Sequence, residues 1–414
     1  MANRLRLTRR HFLELTGTAA LGCTFGCAPA PRQEAVVREL DDFIRARMGM
    51  DHVPGLAACT VRGERLVWSA GYGFANIEAQ IPMTPETLLN IGSISKTVTA
   101  TAVMQLWETE EFALDDDVSA YLPFAVRNPR YPETPITFRQ LLTHRSSITD
   151  GPAYGASYAC GDPAVSLSDW IRGYFMPDGP YYDGEENFHA WEPGTPDPPP
   201  RPRAYSNVGF GLLGYLVETI SGTPFSAYCQ DKIFRPLGMR KTAWNLADID
   251  TSKHAVPYSF VPEEFEMPDD LTFESMLPAP GLTPADLKPG KHAPHCLYSF
   301  FNYPDGLVRT SVSELSRFLR AYILGGAFEG TRILRPDTVA MMLSNDHYGR
   351  ALCWSPRAMD NGDSLWGHGG GDPGISTYMG FRPEDGVGVI LFHNFGSPGD
   401  GANEILERLL QEVE

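Results

Sequence analysis

The chain has 414 residues, of which 43% are hydrophobic and 21% charged, with a formal net charge of −17. This length suits two lobes rather than one compact layer, and the composition is that of an ordinary globular protein. The acidity, with no basic stripe, excludes a nucleic-acid partner, because nothing would neutralise the phosphates.

The N-terminus departs from that composition. Arg4, Arg6, Arg9 and Arg10 precede an uncharged, small-residue-rich stretch from Leu15 to Ala28. Thr8-Arg9-Arg10-His11-Phe12-Leu13 resembles a twin-arginine export signal, so residues 1–30 are expected to address the chain to the export machinery. Ala20-Leu21-Gly22-Cys23 also resembles a lipid-attachment site, which would anchor an exported chain at Cys23. The stretch is shorter than the about 20 apolar residues a spanning helix needs. Beyond it lie Cys59, Cys160, Cys229, Cys296 and Cys353, an odd set without short spacings. No disulfide framework can be read from these five. Cys160 with Cys296 is the pair singled out for an oxidising compartment.

Val36, Val37, Leu40, Phe43 and Ile44 have helical period over 35–47. Segments 56–61 and 65–69 read as a β-hairpin, with Gly71-Tyr72-Gly73 as the turn after it. A strong helix is expected over Ile94–Glu108, followed by a solvated acidic run, Asp115-Asp116-Asp117. Residues 150–203, rich in Gly and Pro, read as a long irregular excursion, and 252–304 as a second. Helices are expected over 208–221, 225–234, 314–324, 336–343 and 402–413, and a closing hairpin over 380–394. This order implies an α+β fold: an antiparallel sheet flanked by helices and built from both chain ends (about 31–110 and 330–414), with a mostly helical lobe (about 111–329) inserted.

Three short elements carry chemistry. In Ser93-Ile94-Ser95-Lys96 a helix places Lys96 one turn beyond Ser93, on the same face. A serine hydroxyl is a poor nucleophile without an adjacent base. A lysine serves only if neutral, and burial together with the positive helix end would lower its pKa. The bland alternative is a helix-capping serine with a solvated lysine. Tyr205-Ser206-Asn207 offers a phenol able to exchange protons and an amide able to hold both a lysine and a substrate. In His368-Gly369-Gly370-Gly371 the glycines let backbone N–H groups approach a ligand and stabilise an oxyanion. His292, His295 and Cys296 have a spacing a metal could use but no second ligand cluster, so no metal or cofactor is expected.

The order Ser-x-x-Lys, Tyr-x-Asn, then a basic residue with glycines near the C-terminus resembles the serine β-lactamase and penicillin-binding-protein superfamily. It resembles most the branch with class C β-lactamases, D-alanyl carboxypeptidases, D-aminopeptidases and esterases. Gly73-Phe74-Ala75-Asn76, Leu141-Leu142-Thr143-His144 and Phe234-Arg235-Pro236-Leu237-Gly238-Met239 match phrases typical of it. The resemblance implies a β-lactamase/transpeptidase-like fold and acylation of Ser93, with Lys96 as base and Tyr205 as proton shuttle. It further implies that Asn207 orients Lys96 and substrate, and that the N–H groups of Ser93 and Gly371 form an oxyanion hole.

Two departures stand out. His368-Gly369-Gly370 replaces the Lys-Thr-Gly that helps hold a substrate carboxylate, which favours ester, amide or small-peptide substrates lacking that group. The alternatives are a β-lactamase or D-alanyl-D-alanine carboxypeptidase, and a catalytically silent penicillin-binding sensor. Ser147 stands where a glycine is usual. Tyr181, Tyr182, Glu185, Glu186 and Trp191 suggest an aromatic, acidic pocket suited to amines or cations.

Overall fold

The computed structural model describes residues 31–195, 204–264, 273–346, 349–359, 362, 364–396 and 398–413. The export signal and Cys23 lie outside the described residues.

Helix α1 (Pro31–Met50) leads into strands β1 (Gly55–Arg62), β2 (Arg65–Asn76) and β3 (Ile81–Pro82). The buried helix α2 (Ser95–Glu108) follows, then α3 (Asn207–Ser221) and α4 (Val312–Ile323). Strands β4 (Ser355–Ala358), β5 (Ser364–Asp372), β6 (Ile375–Arg382) and β7 (Val387–His393) and helix α5 (Gly401–Val413) close the chain. The strands form one antiparallel sheet in the order β4-β5-β6-β7-β1-β2-β3, so the two chain ends meet where β1 pairs with β7.

Alternation of side chains sends Leu56, Ala58, Val389 and Leu391 to one face, under Leu40 and Ile44 of α1 and Leu406 and Leu409 of α5. Ala57, Cys59, Ile390 and Phe392 face the opposite way, toward α2, α3 and α4. Burial on both faces explains why Gly388–Phe392 reads as a continuous apolar run rather than an alternating one. Helix α2 is buried almost all round, and its threonines are satisfied within the fold. Thr97 and Thr101 donate to the carbonyls of Ile94 and Thr97 at 2.7 Å, and Thr99 to that of Pro304 at 2.6 Å. This burial is what desolvates Lys96.

Two expectations are corrected. Gly71 and Gly73 do not turn the chain, since β2 runs through them to Asn76. They serve close approach instead: a Cβ at Gly71 would lie 2.3 Å from the Met83 carbonyl oxygen, and one at Gly73 2.1 Å from that of Pro54. The excursion 150–203 is not wholly irregular. Residues Leu167–Phe175 form a helix, with Leu167, Trp170, Ile171 and Tyr174 buried at helical spacing that the surrounding glycines and prolines obscured. The glycines of 369–371 lie within strand β5.

Cys160 and Cys296 form a disulfide across a sequence separation of 136, tying the two excursions together beside a short pairing of 159–160 with 298–299. Closing so long a loop restricts the unfolded chain. Replacing Cys160 by Ser is expected to cost about 2–4 kcal/mol, read as a lower urea midpoint under non-reducing conditions. The same variant under reducing conditions should match the reduced wild type.

Candidate active site

Asn90 fixes the entry to the site, its Oδ1 accepting the Gly92 N–H at 2.9 Å. Gly92 has a φ of 51° and starts a 3₁₀ turn, Gly92–Ile94, that runs into α2. A Cβ on Gly92 would lie 2.8 Å from the backbone nitrogen of Gly371, so the turn carrying Ser93 abuts β5. Gly370 is required from the other side, where a Cβ would strike the Ile91 carbonyl oxygen at 2.1 Å. Gly369 and Gly371 meet no such obstacle.

Lys96 projects from the first turn of α2, and its side chain is fully buried. Its Nζ lies 3.0 Å from Ser93 Oγ, 2.6 Å from Asn207 Oδ1, 2.8 Å from the Asp305 carbonyl oxygen and 3.2 Å from Asp305 Oδ2. It also sits 5.1 Å from the centre of the Tyr205 ring. The Tyr205 hydroxyl is buried beside Ser93 and Lys96 and interacts with both, but meets hydrogen-bond geometry with no described residue. Burial pushes its pKa above the ordinary phenol value, against the pull of Lys96.

Sequence reasoning missed four residues that hold this arrangement. Asp150 accepts the N–H groups of Asn207 and Val208 at 2.8 and 2.9 Å and the Asn207 side-chain amide at 2.8 Å. It therefore caps α3 and turns Asn207 Oδ1 toward Lys96. Burial raises the Asp150 carboxyl to about 6, opposed by these donors. His144 Nδ1 accepts the Ser206 N–H at 3.2 Å, and its ring stacks on Tyr205 at 4.2 Å. Asn302 donates to the Asn207 carbonyl and to Asp305 Oδ1, both at 2.8 Å. Asp305 itself completes the set. His144 lies in one of the phrases that carry the family resemblance; the other three are single polar residues in irregular segments.

Tyr205 and Asp305 together overturn the expectation for Lys96. Burial does act to lower the lysine pKa, but Tyr205 and the Asp305 carboxylate outweigh it, and the pKa is raised. Lys96 therefore rests as an ammonium paired with Asp305. Ser147 is accounted for as well: its φ of 61° is the left-handed conformation that favours glycine, and its hydroxyl accepts from Asn128 Nδ2 at 3.0 Å.

His368 lies beside the site on β5, its ring centre 6.5 Å from that of Tyr205. Its Nδ1 is 2.6 Å from the Gly369 carbonyl oxygen, so Nδ1 carries a proton. Glu185 and Glu186 are exposed, Tyr181 packs on Trp170 and Phe301, and Trp191 stacks on His189. Acid reaches the site through Asp305 and through Asp372, one residue past Gly371. Tyr154 donates to Asp305 Oδ2 at 3.1 Å and lies 3.4 Å from the Tyr158 hydroxyl, which donates to Asp372 Oδ1 at 2.8 Å. Burial raises the Asp372 carboxyl to about 7. His292, His295 and Cys296 do not form a metal set: Cys296 is in the disulfide, and both histidines bond to backbone carbonyls.

A sheet from both chain ends, with a Ser-x-x-Lys turn wedged between its glycine strand and a buried helix, defines a β-lactamase/transpeptidase-like protein. The chain belongs to the β-lactamase family of serine hydrolases, whose family model (described as beta-lactamase) matches residues 40–413. It is similar to protein flp of Staphylococcus aureus strain N315, at 21% identity over 87% of this chain and 63% of that one. The chain thus spans less than two thirds of the length of that relative. It is also similar to penicillin-binding protein 4 of Amycolatopsis lactamdurans, at 26% identity over 87% of this chain and 86% of that one. The D-amino acid amidase of Ochrobactrum anthropi SV3 in complex with D-phenylalanine shares the fold, with a TM-score of 0.67 and 22% identity over 90% of this chain and 99% of that one.

Proposed function

We propose that this protein is an exported serine hydrolase that forms an acyl-enzyme on Ser93 and acts on ester, amide or small-peptide substrates. The observation that carries this reading is the buried Lys96 Nζ, 3.0 Å from Ser93 Oγ and 2.6 Å from Asn207 Oδ1. Lys96, once its ammonium has given up a proton, takes the Ser93 proton as Oγ attacks the acyl carbon. Tyr205, whose hydroxyl lies beside both, passes a proton to the leaving group and later accepts one from the deacylating water. The N–H groups of Ser93 and Gly371 receive the oxyanion, a contribution of about 3 kcal/mol per donor. Asn207 holds Lys96 and the acyl side of the substrate. Where relatives carry a lysine, this chain carries His368, an imidazole that lacks a lysine's permanent positive charge. That supports substrates without a carboxylate at this position. Export is supported by the twin-arginine pattern and by the Cys160–Cys296 disulfide, which suits an oxidising compartment. A lipid anchor at Cys23 is part of the same proposal.

A panel of p-nitrophenyl esters, D-amino-acid amides, D-Ala-D-Ala and nitrocefin tests the reading. Esters or amides should be turned over with kcat/KM at least about tenfold above nitrocefin, and Ser93→Ala should abolish all turnover. Nitrocefin turnover without ester or amide turnover would instead make the protein a β-lactamase.

A further inference from the structure

Lys96 faces more oxygens than it has protons. An ammonium has three N–H groups, and four oxygens lie within 3.2 Å of Nζ. The Asp305 carbonyl oxygen and Asn207 Oδ1 can only accept, the latter because Asp150 fixes the amide orientation. Two N–H groups are therefore committed, and the third is shared between Ser93 Oγ and Asp305 Oδ2. Asp305 is 2% exposed and held in place by Asn302 on Oδ1 and Tyr154 on Oδ2.

We propose that Asp305 is the proton-holding partner of Lys96. The ammonium gives its third proton to Asp305 Oδ2, and the lone pair so formed faces Ser93 Oγ. That amine then takes the Oγ proton as Oγ bonds to the acyl carbon and the carbonyl electron pair moves onto its oxygen. When Lys96 has passed a proton through Tyr205 to the leaving group, the proton on Asp305 returns to Nζ and restores the ion pair. The inference rests on the acyl-enzyme reading above. In a dry site such an exchange keeps the proton local, because neither partner must release it to water. Tyr154 and Tyr158 link Oδ2 to the Asp372 carboxyl and so extend the hydrogen-bonded network of the pair to the end of β5. The groups facing the pair are Tyr205 and Asp150 beside α3, Tyr154 on the first excursion, Cys353 ahead of β4 and Asp372 at the end of β5.

The pair is active while it holds one proton, whichever partner carries it. Without the carboxylate, Lys96 must first lose a proton to solvent, so activity falls more steeply toward acid. The test is the rate of Ser93 labelling by a fluorophosphonate, whose fluoride leaving group needs no proton, in the wild type and Asp305→Asn. The variant should lose at least about tenfold more rate at pH 6 than at pH 9. Tyr154→Phe, which leaves the ion pair in place, should show a smaller loss of the same sign. An equal loss at both pH values would reduce Asp305 to a structural role, and faster labelling at pH 6 in Asp305→Asn would make it a brake on Lys96. Either result overturns the proposal. Ser93→Ala separates the two levels: labelling that persists in it defeats the acyl-enzyme reading, whereas a silent Ser93→Ala with a pH-independent Asp305→Asn defeats the relay alone.

Discussion

Replacing Lys96 by Ala is expected to slow Ser93 labelling by more than about 1,000-fold, and to destabilise the fold as well. The first effect follows from removing the ammonium nitrogen that lies 3.0 Å from Ser93 Oγ. The second follows from Asp305, which is left as a buried carboxylate without its cation; breaking such a pair costs about 3–5 kcal/mol. The sign of the pH dependence is fixed by burial, which raises the Asp305 carboxyl above its unfolded value even with Lys96 present. A carboxyl raised in the folded state loses stability as pH rises through its folded pKa, so the Lys96→Ala protein should melt lower, relative to wild type, at pH 8 than at pH 5. Adding Asp305→Leu to Lys96→Met should recover much of the lost stability while labelling stays absent. Thermal melts and labelling rates on the same preparations separate the two effects. If the double variant melted no higher than the single one, the buried ion pair would not be the source of the instability.

Asp150→Asn is the second large effect. The substitution keeps the shape of the side chain and an acceptor for the Asn207 and Val208 N–H groups. It also presents an NH₂ group to the Asn207 amide, whose own NH₂ already points there. Either two donors face each other, or Asn207 flips and turns its NH₂ toward the Lys96 ammonium. A buried mispaired donor costs about 1–3 kcal/mol, so kcat/KM should fall about 10- to 100-fold. The stability profile gives a second reading. Burial holds Asp150 at about 6, above its unfolded value. The wild type therefore gains stability relative to Asp150→Asn as pH falls from 7 to 4, with the two curves parallel above that range. Unchanged kcat/KM in Asp150→Asn would show that the orientation of Asn207 does not matter to the reaction.

Much of this site is legible in the sequence because its parts are local. Ser93 and Lys96 are one helical turn apart, Tyr205 and Asn207 flank the start of α3, and His368–Gly371 lie along one strand. The strands at the two chain ends are equally readable, since Val389–Phe392 and Leu56–Val61 carry their pattern within a few residues. What was not legible comes from contacts made at long range. Asp305 is 209 residues from Lys96, and nothing near it announces a partner. Together with Tyr205, that contact reverses the expected direction of the Lys96 pKa. Asp150 sits between Thr149 and Gly151, where an acid reads as an ordinary loop residue, yet three donors from α3 converge on it. Gly71 and Gly73 were misread for a related reason: glycine marks either a turn or a close approach, and only the neighbouring chain decides which.

The account depends first on Ser93 being the nucleophile. The most direct measurement is intact-mass and peptide mapping of the wild type and Ser93→Ala after exposure to a fluorophosphonate. The account predicts a single adduct on the peptide containing Ser93, absent in Ser93→Ala at an unchanged melting temperature. An adduct on another residue, an unlabelled wild type, or labelling that survives in Ser93→Ala would contradict it.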